Sequence, residues 1–125
     1  MKILALDYGS ARTGVAVSDP TGTLVRPVTT VERAATDSGF ARLLAVIEAE
    51  APERVVVGMP LTLRGERGEQ ARVTDVFVER LRGAIAVPVE TYDERFTSVL
   101  ADGDDARAAA HLLSSYLERW QHGRP

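Results

Sequence analysis

Apolar runs at 2–7 and 14–19, split by a polar, glycine-bearing stretch, open the chain and predict two strands. Asp19-Pro20-Thr21-Gly22 reads as a turn, because Pro fixes φ and Gly accepts positive φ. Thr23-Leu24-Val25-Arg26 predicts a third short strand that completes an antiparallel meander. Pro27 ends it or places it at a sheet edge. The period then changes. Phe40, Leu43, Leu44, Ile47 and Ala51 recur at helical steps, with Thr36, Asp37 or Ser38 as cap and Pro52 as the stop. Arg54-Val55-Val56-Val57-Gly58-Met59 is apolar on both faces, as a central parallel strand is. Pro60 to Gly68 is a loop. Val73, Val76, Phe77, Leu81 and Ala84 predict the stripe of a second helix, with Gly83 at its end. Ala86 to Tyr92 is a strand shortened by Pro88 or set at an edge, and Asp93 to Ser98 leaves it to begin a short helix. A last helix runs from about Asp104 to Trp120 on a stripe of Ala109, Leu112, Leu113, Tyr116, Leu117 and Trp120.

This order, β-β-(β)-α-β-α-β-(α)-α, predicts an α/β domain. An antiparallel meander followed by parallel strands gives a mixed sheet with helices on both faces. Ligand sites in such sheets lie beyond the carboxyl ends of the parallel strands. Asp7, the loop after Met59 and the Asp93-Glu94 pair all follow strands and can meet there. The 125 residues fit one domain, 1–125, with a sizeable core. The longest apolar runs are far too short for a transmembrane helix, and Met1-Lys2 leads straight into a strand-like run, so no signal peptide is expected. The lack of cysteine excludes disulfides and thiolate metal sites and fits a cytoplasmic protein. A net charge of −3 argues against a broad polycationic surface, but not against a local patch beside an acidic nuclease site. Of the 15 cationic residues only Lys2 is not arginine. Arginine suits bidentate phosphate contacts, though genome base composition produces the same bias.

Three acids stand out. Asp7 shares a strand face with Ile3 and Ala5, so its charge sits at the edge of the core, where a metal, an arginine or hydrogen bonds must meet it. Gly9 and Gly14 around it permit tight turning and close approach; a plain hairpin with a polar turn has the same residues. Asp93-Glu94-Arg95 follows a strand directly, as catalytic acids or as a capped, salt-bridged helix start. Asp105 lies on the apolar stripe of the last helix, in phase with Ala109, Leu112 and Tyr116, whereas Asp104 is the more natural capping residue. Converging, these acids offer hard oxygen ligands to Mg²⁺ or Mn²⁺, and two such ions about 4 Å apart can activate water and stabilise a leaving oxygen in phosphodiester hydrolysis. On the substrate side, Arg64 and Arg67 in the 58–70 loop precede a helix N-terminus and can bind phosphate, or the loop is a solvated connection. Arg12 can reach phosphate or pair with Asp19. His111 has no acidic motif around it and His122 lies in a terminal stretch expected to fray, so neither reads as a general base, and Tyr116 and Trp120 read as core rather than base-stacking groups.

Four segments carry a family resemblance: Leu6-Asp7-Tyr8-Gly9-Ser10-Ala11-Arg12-Thr13-Gly14-Val15-Ala16-Val17-Ser18-Asp19; Val57-Gly58-Met59-Pro60-Leu61 with Gly65 and Gly68; Tyr92-Asp93-Glu94-Arg95-Phe96-Thr97-Ser98; and Asp105-Ala106-Arg107-Ala108-Ala109 with Leu113 and Tyr116-Leu117. In this order, over nearly the whole chain, the sequence resembles the YqgF family, also called RuvX: Holliday-junction-resolvase-like and pre-16S rRNA nucleases of the RNase H-like fold. The resemblance implies a five-stranded RNase H-like sheet, a cytoplasmic bacterial protein, a Mg²⁺ or Mn²⁺ site and a nucleic-acid substrate. It carries the acidic positions onto Asp7, Glu94 and Asp105, with Asp93 as a rival to Glu94. Gly9, Arg12, Arg64, Arg67 and Arg95 are then the phosphate-binding candidates. One departure stands against the pattern. The family usually has a longer, basic stretch before the last helix, and here only Val99-Leu100-Ala101-Asp102-Gly103-Asp104 separates Ser98 from Asp105.

Three functions compete. The first is a divalent-metal-dependent nuclease, which the resemblance directs to the 5′ end of precursor 16S ribosomal RNA or, second, to branched DNA junctions. The second is a phosphate-binding fold of the sugar-kinase and actin type, whose first phosphate loop resembles Asp7-Tyr8-Gly9-Ser10 followed by Gly14-Val15-Ala16-Val17; such proteins need two such domains. The third is a nucleic-acid-binding module without catalysis, against which the retained acids speak, because a pure binder gains by losing acids near phosphates. The sequence leaves oligomeric state open.

Overall fold

A computed structural model describes residues 1–60, 68–93 and 105–123. Its elements are β1 (Ile3–Asp7), β2 (Arg12–Ser18), β3 (Val25–Glu32), α1 (Asp37–Glu50), β4 (Arg54–Met59), α2 (Glu69–Ala84), β5 (Val89–Asp93) and α3 (Asp105–Gly123). The five strands form one sheet in the order β3-β2-β1-β4-β5. β1, β2 and β3 pair antiparallel, and β4 pairs parallel with both β1 and β5. The mixed α/β sheet expected from the pattern is therefore present.

Alternation along the strands separates two cores. Leu4, Leu6, Val15, Val17, Val55 and Val57 point to one face and pack with α1 and α2 through Phe40, Leu43, Ile47, Phe77, Val78 and Leu81. Ile3, Ala5, Ala16 and Val56 point to the other and pack with Ala109, Leu112, Leu113, Tyr116 and Leu117 of α3. Because side chains alternate with period two, one strand serves both layers. This explains why β4 has no polar face.

Local chemistry sets the boundaries. Thr36 caps α1, its hydroxyl accepting from the Gly39 amide at 3.1 Å. Ala51 ends the helix in a left-handed conformation, φ 50°, before Pro52. β3 runs further than the short Thr23–Arg26 strand expected. It contains Pro27, which is tolerated because β3 is an edge strand and the register shifts opposite it, between Val15 and Ala16. β5 starts after Pro88, also at an edge.

The α2 stripe requires a correction. Val76 is 72% exposed and Val73 36%, while Ala71, Thr74, Phe77, Val78 and Leu81 face the sheet. The buried face is thus rotated away from Val73 and Val76. Gly83 lies in the last turn, at the end of the helix as expected. The short helix expected over 93–98 falls outside the described residues beyond Asp93.

α3 is fixed to the parallel half of the sheet by polar contacts as well as by its stripe. The Tyr116 hydroxyl donates to Glu90 Oε1 and accepts from Arg54 Nη1 at 3.1 Å, and Arg54 pairs with Glu90 at 2.9 Å. The Tyr92 and Ser115 hydroxyls are hydrogen-bonded at 2.9 Å, and the Tyr92 ring meets Tyr116 edge-on. Tyr116 is a core residue as expected, but one that also joins β4, β5 and α3 through its polar end.

Candidate functional site

β1 ends at Asp7, with Gly14 of β2 directly opposite. By alternation with Ile3 and Ala5, Asp7 faces the α3 side of the sheet. Gly14 determines what lies next to it. A Cβ on Gly14 would stand 1.7 Å from the Asp105 carbonyl oxygen and 2.9 Å from the Ala106 nitrogen. Only a hydrogen fits there, so the first turn of α3 rests on the bare backbone of β2, one strand away from Asp7. Residues far apart in sequence, Asp7 and Asp105, are brought together by this contact.

Their electrostatics agree with the geometry. Burial, and secondarily the Asp105 charge, push the Asp7 carboxyl above its ordinary value, since both disfavour the ionised form. Asp105 has a counter-ion: its Oδ2 lies 2.9 Å from Nε of Arg12, the first residue of β2. The alternative pairing of Arg12 with Asp19 is not adopted. Asp19 instead accepts from Thr21 Oγ1 at 2.7 Å and from the Thr23 and Leu24 amides at 2.8 and 3.1 Å. These bonds, the Thr21 hydroxyl foremost, hold its carboxyl below the usual range. Asp19 belongs to its turn and not to the site.

Gly9 and Gly14 both serve close approach, but of the chain's own backbone. A Cβ on Gly9 would lie 2.5 Å from the Arg12 carbonyl oxygen, so Gly9 lets the β1–β2 turn close and start Arg12 in position. The close approach expected at Gly14 is that of α3, whose first turn fills the room beside it. A glycine inside a strand run is the signal that marks such an approach, and it leaves open what approaches.

The remaining candidates divide. Asp93 ends β5 beside Met59. Glu90 and Tyr92 face α3, so alternation turns Asp93 to the opposite face from Asp7. Among the described residues no three His, Cys, Asp or Glu side chains gather closely enough to hold one metal ion. The described part of the site is therefore a carboxylate pair with one arginine. Glu94, Arg95, Arg64 and Arg67 lie outside the described residues. His111 is exposed on α3, away from the core-facing stripe. On the other sheet face, Tyr8 stacks on Phe77 at 4.1 Å.

Comparison with known proteins follows the same lines. The family model described as "RuvX: Holliday junction resolvase" matches residues 1–119. A Chloroflexus aurantiacus protein named "Putative pre-16S rRNA nuclease" is 45% identical over 100 residues, covering 80% of this chain and 65% of that protein. The chain thus spans just under two thirds of that relative's length. A protein of the same name from Desulforudis audaxviator is 34% identical and covered over 99% of both chains. That alignment runs over 139 positions, more than this chain has residues, so the relative carries positions absent here. Among solved structures, Thermus thermophilus RuvC in complex with a Holliday junction substrate superposes with a TM-score of 0.59 at 18% identity, over 99% of this chain and 97% of that one. A Fowlpox virus resolvase bound to Holliday junction DNA gives 0.60 at 13% identity, over 94% and 97%. At these identities the likeness is one of fold, the RNase H-like architecture.

Proposed function

The chain belongs to the RuvX family, and from that premise we propose that it is a divalent-metal-dependent nuclease acting on precursor 16S ribosomal RNA. The observation that carries this reading is the meeting of Asp7 and Asp105 at the carboxyl end of β1, made by the bare backbone of Gly14 under the first turn of α3. The names of the relatives support the substrate class.

The donor set fits Mg²⁺ or Mn²⁺. Both ions prefer carboxylate oxygens, and two like charges, one of them partly desolvated, are relieved by a dication. Asp7 and Asp105 would hold it, with Glu94 as the third acid that the family resemblance assigns. A divalent cation held by these carboxylates would supply activation of water and neutralisation of charge on the leaving oxygen. The chain's own part is to present the carboxylates from two rigid elements. Burial of Asp7 strengthens its interaction with a cation, because the local dielectric is lower than in water. Arg12, 55% exposed at the start of β2, is proposed to meet substrate phosphate, with Arg64, Arg67 and Arg95 extending that surface. No helix of the described residues is long and apolar enough to cross a membrane, and the reading places the protein in the cytoplasm.

Cleavage of a precursor 16S rRNA fragment by purified protein with Mg²⁺ or Mn²⁺ tests the proposal, with Asp7→Asn as the control. We expect loss of at least 100-fold in rate in the variant, roughly the scale of removing a group that stabilises charge in the transition state. Equal activity in the variant, or cleavage that survives chelation, overturns it. The likeness in fold to the two resolvases favours one second reading, cleavage of branched DNA, and junction DNA in the same assay decides between them.

A further inference from the structure

The Arg12–Asp105 ion pair carries an inference that rests on the metal-dependent reading of the same site. The geometry points to Arg12 as an exchangeable counter-ion: it holds the Asp105 carboxylate while no cation is bound, yields it to the divalent cation, and is thereby left to pair with the substrate's phosphate.

Three observations lead there. Among the described residues, the site has two carboxylates and one cationic partner, and that partner sits on Asp105 through Nε at 2.9 Å. Among the described residues Asp7 has no ion-pair partner, and Arg12 neutralises one carboxylate of the two. A dication shared by the two carboxylates completes the neutralisation and repels a guanidinium on the same oxygens. The Arg12 side chain is also 55% exposed, and an ion pair of that kind is weak enough to be exchanged. Its backbone, by contrast, is held in the β2 ladder opposite Glu32. Release therefore swings the side chain and leaves the strand in place. One residue would then link cation binding to substrate binding, because the arginine that occupies the acid in the absence of metal becomes a phosphate ligand in its presence.

A fixed, structural Arg12 makes the opposite prediction. If the ion pair only anchors the start of α3, its loss loosens Asp105 and weakens cation binding; if Arg12 is displaced by the cation, its loss removes a competitor and strengthens it. Titration of Mn²⁺ without nucleic acid, with free Mn²⁺ read by electron paramagnetic resonance, separates the two. We expect Arg12→Gln to bind Mn²⁺ roughly two- to fivefold more tightly than wild type, the fold-change set by a partly exposed ion pair, and Arg12→Lys to stay near wild type. Unchanged or weaker binding by Arg12→Gln overturns the inference. Nuclear magnetic resonance of the Arg12 Nε–H in wild type gives an independent reading should the Gln variant not fold. Saturating Mg²⁺ should shift the resonance and speed its exchange with water, and an unaffected resonance overturns the inference. If Mn²⁺ and Mg²⁺ fail to bind wild type at all, the metal-dependent nuclease reading falls and takes this inference with it. If cation binding and metal-dependent RNA cleavage are intact while Arg12 stays on Asp105, only the exchange is refuted.

Discussion

A carboxylate at the end of a core strand stays charged only at a cost, and Asp7 shows where that cost arises. Burial and the neighbouring Asp105 raise its proton affinity in the folded protein. An acid with a raised folded-state value favours folding below its ordinary value of 3.8, and that contribution is lost as pH rises through the raised value. Asp7→Asn, which removes the charge and keeps the shape, should therefore be more stable than wild type at neutral pH in the absence of divalent cation, by about 1 kcal/mol. The difference should shrink in acid. Urea unfolding of both proteins at acidic and neutral pH checks it. Saturating Mg²⁺ should stabilise wild type and leave the variant behind, since a ligand stabilises only the state that binds it. The sequence marked Asp7 by its position at the end of an apolar run. Its relation to Asp105 was visible as a phase on a helical stripe and through the family resemblance.

Between elements, the decisive contact is α3 on β2. Gly14 reads from sequence as a turn or clearance residue. In the fold it is the surface on which the first turn of α3 lies. Gly14→Ala would force the Asp105 backbone away from β2 by more than side chains can absorb, because the obstructing atoms are main chain. We expect a loss of about 3 kcal/mol in stability, in the range of severe overpacking. Cation affinity in the fraction that folds should fall as Asp105 leaves Asp7. Denaturant unfolding and Mn²⁺ titration measure the two effects. The α2 stripe failed in part at the same scale. Val73 is at helical spacing with both Val76 and Phe77, but the face that meets the sheet keeps Phe77 and Leu81 and otherwise passes through Ala71, Thr74 and Val78. Periodicity finds that a stripe exists; packing against the sheet decides its angle.

For the whole molecule, one sheet separates two cores of different importance to the site. The α1–α2 layer supports the sheet from one side, and the α3 layer carries Asp105 on the other. Leu43 and Leu113 are both fully buried, so truncating either to Ala should cost about 3 kcal/mol. Only Leu113→Ala should also weaken Mn²⁺ binding under conditions where both variants remain folded. Equal effects on cation affinity would show that the layers act as one unit. The charge balance belongs to this scale as well. With a net charge of −3, affinity for nucleic acid depends on where arginines gather, and the Arg12 end of β2 is the described point where one meets the acids.

The sequence by itself determined the order of the described elements, the interior place of β4, the short run that holds the α1 cap and the candidate acids, because these depend on local periodicity and turn chemistry. It also carried the family, through four short segments whose order is itself information. The tertiary structure decided the rest. It placed Arg12 on Asp105 and not on Asp19, turned Asp93 to the other face from Asp7, and put α3 where Gly14 admits it. Those outcomes depend on which backbones touch across the sheet, and residues in contact there, such as Gly14 and Asp105, have no local signal in common.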